Sequence, residues 1–134
     1  MSKKTIAVLI GVLAGIALVT LSDMFSQWAY PSGEVLDLTN PTAVENYMNR
    51  LPLGALLIMA AGWCMSAFTG GVLSAYIYIN KPGQVSIVTG IILFSGTLVN
   101  LYQIPHPLWM TIVAVIGMIP MARIGGQVAV RLKG

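Results

Sequence analysis

The single histidine of the chain and three of its four carboxylates could meet at one site. His106 stands between two prolines, while Asp23, Glu34 and Asp37 lie at the end of an apolar segment or in the polar segment that follows it. An imidazole beside carboxylates can bind a divalent metal ion or respond to pH. Because no second ligand occurs at a metal-binding spacing, the sequence favours a structural role for His106 in the turn.

Two further polar residues, Asn100 and Arg123, fall inside apolar segments. Polar groups are costly in hydrocarbon, so each is a candidate functional residue. Asn100 is expected to form a hydrogen bond across helices. The long side chain of Arg123 can reach the headgroup region, and this interpretation competes with contact to an ion, a lipid phosphate or a partner protein.

Few residues of the chain are suited to catalysis. One His, one Cys and four acids are present, and no HExxH, GxSxG or phosphate-loop pattern occurs. No acid lies near the middle of an apolar segment, where proton-coupled transport generally uses one. No patch of Lys and Arg with interleaved aromatics suggests nucleic acid. The sequence therefore predicts a non-enzymatic protein without a cofactor, a metal ion or a nucleic-acid partner.

The elements that carry these residues are membrane spans. Of the 134 residues, 57% are hydrophobic and 8% are charged, and the mean hydropathy is +0.84, whereas a soluble domain is about 25% charged. The charge-free runs are 5–22, 51–80 and 82–122, and the third is divided by Pro105 and Pro107. We therefore predict an all-α membrane protein with a single domain. Its spans are expected at about 5–27, 53–79, 84–103 and 108–130, with an outer loop at 28–52 and the first span an uncleaved helix.

The distribution of positive charge predicts the orientation of the spans. Five Lys and Arg residues fall on one side of the predicted membrane and Arg50 on the other; the five are Lys3, Lys4, Lys81, Arg131 and Lys133. Cytoplasmic loops carry an excess of Lys and Arg. Both termini are therefore expected in the cytoplasm.

The outer loop has the pattern of a short amphipathic helix. Its start is either Thr42, in a capping box with Glu45, or Asn40 followed by Pro41 at the first helical position. Apolar side chains then recur at helical spacing, at Val44, Tyr47, Met48 and Leu51. We predict a helix on the outer membrane surface with this face toward lipid.

Small residues form rows on two spans, and these rows also suggest a repeat. The predicted helix-packing residues are Gly62, Ser66, Gly70, Gly71, Ser74, Gly125 and Gly126. A shift of 55 residues aligns the second and fourth spans from Pro52 with Pro107 to Gly71 with Gly126. This alignment favours two duplicated parallel helical hairpins. The small-residue face is expected to pack within its own bundle, with packing against another chain as the alternative.

Several motifs together resemble a family of small bacterial four-helix membrane proteins that has no assigned activity. They are Tyr30-Pro31, Leu51-Pro52, Trp63, Gly70-Gly71, Ala75, Asn100 and Pro105-His106-Pro107-x-Trp109. The resemblance implies a bacterial inner membrane and no particular chemistry. The interpretation is a structural or accessory subunit in the lipid bilayer. Its possible partners are another membrane protein, which would favour this interpretation, or further copies of the chain, which would favour the alternative. The alternative is a small channel or transporter that works as a homo-oligomer.

Overall fold

The computed structural model describes residues 2–31, 37 and 39–134. Within these ranges every regular element is a helix, namely α1 (Lys3–Ala29), α2 (Pro41–Arg50), α3 (Leu53–Ile77), α4 (Pro82–Gln103) and α5 (Leu108–Lys133). Four of them, α1, α3, α4 and α5, are long and apolar enough to cross a membrane. The prediction of four spans with a short helix between the first two is confirmed. The predicted and observed bounds of the spans differ by at most three residues.

α3 is the central helix of the bundle, because it packs against α1, α4 and α5. α4 also contacts α1 and α5, while α1 and α5 do not touch in the described part of the chain. α1 and α3 run antiparallel, since Ser26 near the end of α1 donates a hydrogen bond of 3.2 Å to the carbonyl of Ala55 near the start of α3. The two turns at 78–81 and 104–107 reverse the chain again. The bundle therefore has a basic end (Lys3, Lys4, Lys81, Arg131 and Lys133) and an acidic end (Asp23, Asp37 and Glu45, with Arg50).

The helices approach closely wherever glycine faces a neighbouring backbone. A Cβ atom built on Gly70 would lie 2.8 Å from the carbonyl oxygen of Gly11 on α1. One built on Gly71 would overlap the carbonyl of Ala122 on α5, and one on Gly125 would overlap that of Phe68 on α3. The α3 row therefore packs inside the bundle, with α1 on one side and α5 on the other.

The remaining small residues of the predicted rows are also buried. Gly62 faces the Ser22 side chain of α1, and a Cβ atom there would lie 2.5 Å from Ser22 Cβ. Gly126 faces Ser86 of α4. Ser66 and Ser74 are fully buried, and their hydroxyls bond to carbonyls of α3 itself.

The packing of the aligned glycines is not equivalent in the two proposed hairpins. Gly70 faces α1, but its counterpart Gly125 faces α3 and not α4; Gly71 faces α5, but its counterpart Gly126 faces α4. A twofold axis would also require α1 to contact α5 as α4 contacts α3, and in the described residues it does not. The duplication therefore receives no support from the fold and stays an interpretation of the sequence.

α2 covers the acidic end of the bundle. Of the two predicted starts, Asn40 is the cap: its side-chain oxygen accepts hydrogen bonds from the backbone N–H groups of Thr42 (3.1 Å) and Ala43 (3.3 Å). The predicted placement of the apolar face toward lipid is wrong. Val44 and Met48 are only 5% and 7% exposed and belong to the main core. The bundle itself offers this face an apolar surface, because the ends of the spans leave part of the core uncovered.

Candidate functional site

Three of the predicted polar residues lie around one cavity at the acidic end. This end cavity has a volume of about 140 Å³, and its walls include Asp23 of α1, Asn100 of α4 and His106 of the turn before α5. Tyr47 and Met48 of α2 lie over it. The site depends on the fold, since these residues are far apart in sequence and meet only because α1 and α4 finish at the same end of the bundle.

His106 is held by its own turn and by the core. Its Nδ1 lies 2.7 Å from the carbonyl oxygen of Ile104, and because a carbonyl can only accept, Nδ1 carries a proton. The imidazole packs edge-on against the buried ring of Trp63, with 5.5 Å between centroids and 63° between planes. Burial lowers the pKa of His106, and the bond to Ile104 opposes this to a smaller extent. Burial therefore favours a neutral imidazole, whereas a site with carboxylates would raise the pKa.

Asp23 has no polar partner within the part of the chain that the structure describes. It lies on α1 about two turns before the helix ends, and its side chain is half-buried. No hydrogen bond or ion pair reaches its carboxylate from any described residue. The side-chain amide of Asn100 is likewise half-buried and without a described partner. Both residues line the end cavity.

That space continues as a groove between α1 and α4. The α1–α4 groove has a volume of about 490 Å³, and its walls extend from Val12 to Asp23 along α1 and from Ile92 to Asn100 along α4. Eleven residues of α-helix correspond to about 16 Å. The buried side chains of Trp63, Ser66, Leu93 and Thr97 form its floor. Exposed Ile16 and Ile92 form part of its rim, so the groove opens on the side of the bundle.

The other predicted polar residues lie elsewhere. Asp37 accepts hydrogen bonds from the hydroxyl (2.6 Å) and the backbone N–H (3.0 Å) of Thr39, and these bonds lower its pKa. Arg123 is exposed near the opposite end, beside a shallow groove of about 190 Å³ between α4 and α5. Glu34 lies outside the described residues. No group of three or more metal-ligating side chains occurs among the residues with a described position.

Most buried hydroxyl groups bind the backbone of their own helix. The residues in question are Ser66, Ser74, Ser86, Thr89 and Thr97, each of which donates to a carbonyl three or four residues earlier. A hydroxyl that donates in this way does not use its proton to bind a neighbouring helix. Among the described residues the helices therefore associate mainly through packing contacts, although Ser66 and Thr97 also line the α1–α4 groove.

Sequence reasoning did not assign Trp63 to the site. It is 2% exposed, packs on His106 and lines the α1–α4 groove. Nothing in the spacing of residues 63 and 106 links them. One signal in the sequence singles out Trp63. It lies in the middle third of a span, whereas tryptophan is usually found near the membrane interfaces.

Comparison with known proteins gives no match to any family model, curated protein or solved structure. These comparisons therefore do not support the resemblance to a bacterial family. Its general features, a small all-helical protein with four candidate membrane spans, do agree with the structure. The fold defines a small, all-helical, multi-pass membrane protein with four spans.

Proposed function

We propose that this chain is a non-enzymatic structural or accessory subunit of a bacterial inner membrane. The observation that carries the proposal is the close packing of the helices against one another. Backbone meets backbone at Gly11–Gly70 and Gly71–Ala122, and buried hydroxyls bind their own helices. A protein packed in this way is suited to a fixed shape, while catalysis requires several convergent polar groups.

The outer surface of α1 supports a role in association. Among the helices that the structure describes, α1 packs against α3 and α4, and on its other side Leu13 is 65% and Leu21 60% exposed. Lipid covers this apolar face as well as another protein would, so the hydrophobic effect does not drive its association. Association then depends on close packing between helices. A partner helix that fits this face would leave the rest of the bundle unchanged.

Crosslinking in the membrane tests this function. A photoreactive residue at Leu13 on α1 is compared with one at Ile116 on α5, which is similarly exposed at 68%. The expected result is one discrete adduct from Leu13 with a different membrane protein, retained as a complex of fixed stoichiometry in native mass spectrometry. Adducts only with lipid, or only with a second copy of the chain, would contradict the accessory role.

We propose that both termini and the α3–α4 turn are cytoplasmic. The five cations of the basic end support this orientation. In a Cys64→Ala background, a cysteine at Asn46 of α2 should react with an impermeant maleimide from outside, and one at Asn80 only after permeabilisation. The reverse pattern would invert the orientation.

A small channel or transporter is the second candidate. The α1–α4 groove favours it, because Asp23 and Asn100 extend polar lining from the acidic end toward the interior. Ion or solute flux in liposomes that contain only this protein, lost in Asp23→Asn, would support this candidate against the accessory role.

A further inference from the structure

We propose that the α1–α4 groove binds a membrane-soluble amphiphilic amine, with its ammonium group at Asp23 and its hydrocarbon tail between α1 and α4. The proposal does not depend on the accessory role, since a structural subunit and a transporter could each hold such a ligand. It rests on the juxtaposition of one carboxylate, which has no partner among the described residues, and one largely apolar groove.

The charge of the ligand follows from Asp23. Of the described residues that line the groove, Asp23 alone carries a formal charge. A carboxylate inside a membrane span is costly unless it is paired, and no described cation contacts this one. The cations of the basic end lie on the far side of the bundle, and Asp23 lies on α1 near its acidic end. A ligand that brings its own positive charge would supply the missing partner.

Neighbouring groups favour an ammonium head. The Asn100 side chain lines the same part of the groove, and its carbonyl oxygen can accept a hydrogen bond from an N–H donor. The indole of Trp63 is also in the wall, and a tryptophan ring attracts a cation at its face. An anionic head, such as a phosphate or sulfate, would instead place negative charge against Asp23.

The length and closure of the groove favour a hydrocarbon tail. Below Asp23 the α1 wall consists of the apolar side chains of Val19, Ile16 and Val12 and of Thr20, whose hydroxyl donates to the carbonyl of Ile16. At the same depth Leu93 of α4 packs on Gly15 of α1, where an added Cβ atom would lie 2.6 Å from a methyl of Leu93. A cavity of about 490 Å³ matches a small-molecule site and is too small for another helix, which is about 10 Å across. The exposed rim at Ile16 and Ile92 lets such a ligand enter from the lipid.

Fluorescence quenching tests this proposal in reconstituted protein. Trp63 is kept as the single tryptophan by Trp28→Phe and Trp109→Phe, and the protein is placed in phosphatidylcholine nanodiscs. The probe is a long-chain primary amine with a bromine in its tail, which quenches indole on contact. We expect saturable quenching that is about tenfold weaker in Asp23→Asn, a loss typical of one ion pair. Glu45→Gln, which removes an exposed acid at the same end, should leave the affinity unchanged.

Two glycine variants separate binding from folding. A Cβ atom on Gly96, in the wall of the groove, or on Gly83, at the start of α4, would meet no atom within 4 Å. Gly96→Leu should therefore fold and block the groove, whereas Gly83→Leu should fold and bind normally. The brominated alcohol and sulfate with the same tail should not saturate. Equal quenching by amine and alcohol, or equal affinity in wild type and Asp23→Asn, would overturn the proposal.

Discussion

Gly11 of α1 and Gly70 of α3 meet backbone to backbone. A Cβ atom on Gly11 would lie 2.6 Å from the carbonyl oxygen of Gly70, and one on Gly70 would lie 2.8 Å from that of Gly11. Each glycine thus makes room for the other. In lipid, where apolar burial gives little drive for helix association, this close approach supplies the van der Waals contact that holds α1 against the bundle.

The contact between Gly71 and Ala122 predicts opposite effects for two Gly→Ala changes. At Gly71 the added methyl group would overlap the Ala122 carbonyl, so Gly71→Ala should lower stability by about 1–3 kcal/mol. At Gly96 the methyl group meets no atom, so Gly96→Ala should raise stability by about 0.5–1 kcal/mol through helix propensity. Unfolding midpoints in detergent provide the comparison. Equal shifts of the same sign in both variants would contradict the packing role of Gly71.

A second substitution should restore stability to a Gly→Ala variant at Gly126 but not to one at Gly125. Gly126 faces the side chain of Ser86, with 2.8 Å from its built Cβ atom to Ser86 Cβ, whereas Gly125 faces the backbone at Phe68. The double variant Gly126→Ala with Ser86→Gly should therefore be more stable than the sum of its single changes, by about 0.5–3 kcal/mol. If the effects of the two single changes simply add, the α4–α5 interface accommodates the methyl group of Gly126→Ala without strain.

The four spans could be predicted from the sequence because each is a long apolar run bounded by charge or proline. The packing of α2 could not. Its apolar face, with Val44 and Met48, has the same spacing whether it meets lipid or the end of a bundle. Helical periodicity identifies which side chains are buried and leaves open what covers them. The interior Pro120 also gave no local break, and α5 continues through it.

The candidate site was predicted in part. Asp23, Asn100 and His106 were each singled out by being polar in or beside an apolar segment, and the fold brings them to one cavity. Asp37 and Arg123 met the same criterion and lie elsewhere, because residue type does not specify which helix faces converge. The contact of Trp63 with His106 depends on tertiary packing alone.

The cap of α2 predicts a local loss of stability. Asn40→Ala removes the acceptor for the N–H groups of Thr42 and Ala43 and should cost about 0.5–2 kcal/mol. Amide hydrogen exchange of the first turn of α2 should speed up accordingly. Glu45→Ala tests the alternative capping box, because glutamine could replace glutamate in such a box and alanine cannot, and it should leave exchange unchanged. Faster exchange in the Glu45 variant than in the Asn40 variant would reassign the cap.

The pH dependence of stability tests the environment of His106. Because burial lowers its pKa below the ordinary value of 6.5, the unfolded chain binds a proton at a higher pH than the folded chain does. The contribution of His106 to stability is therefore fully present above its pKa in the unfolded chain. It is lost as the pH falls from that value toward the lower pKa of the folded chain. If His106 were paired with a carboxylate, its pKa would be raised, and its contribution to stability would instead be lost as pH rises.

The measurement compares wild type with His106→Gln between about pH 5 and about pH 8, where imidazole titrates. The difference in unfolding midpoint between the two proteins removes the contributions of Asp23 and the other acids. The wild-type advantage should shrink toward acid pH, and added zinc should not change it. A wild-type advantage that grows at acid pH would show that a carboxylate pairs with the imidazolium. In that case the turn at 104–107 would hold His106 toward Asp23, with which it shares the end cavity, and not as a neutral ring against Trp63.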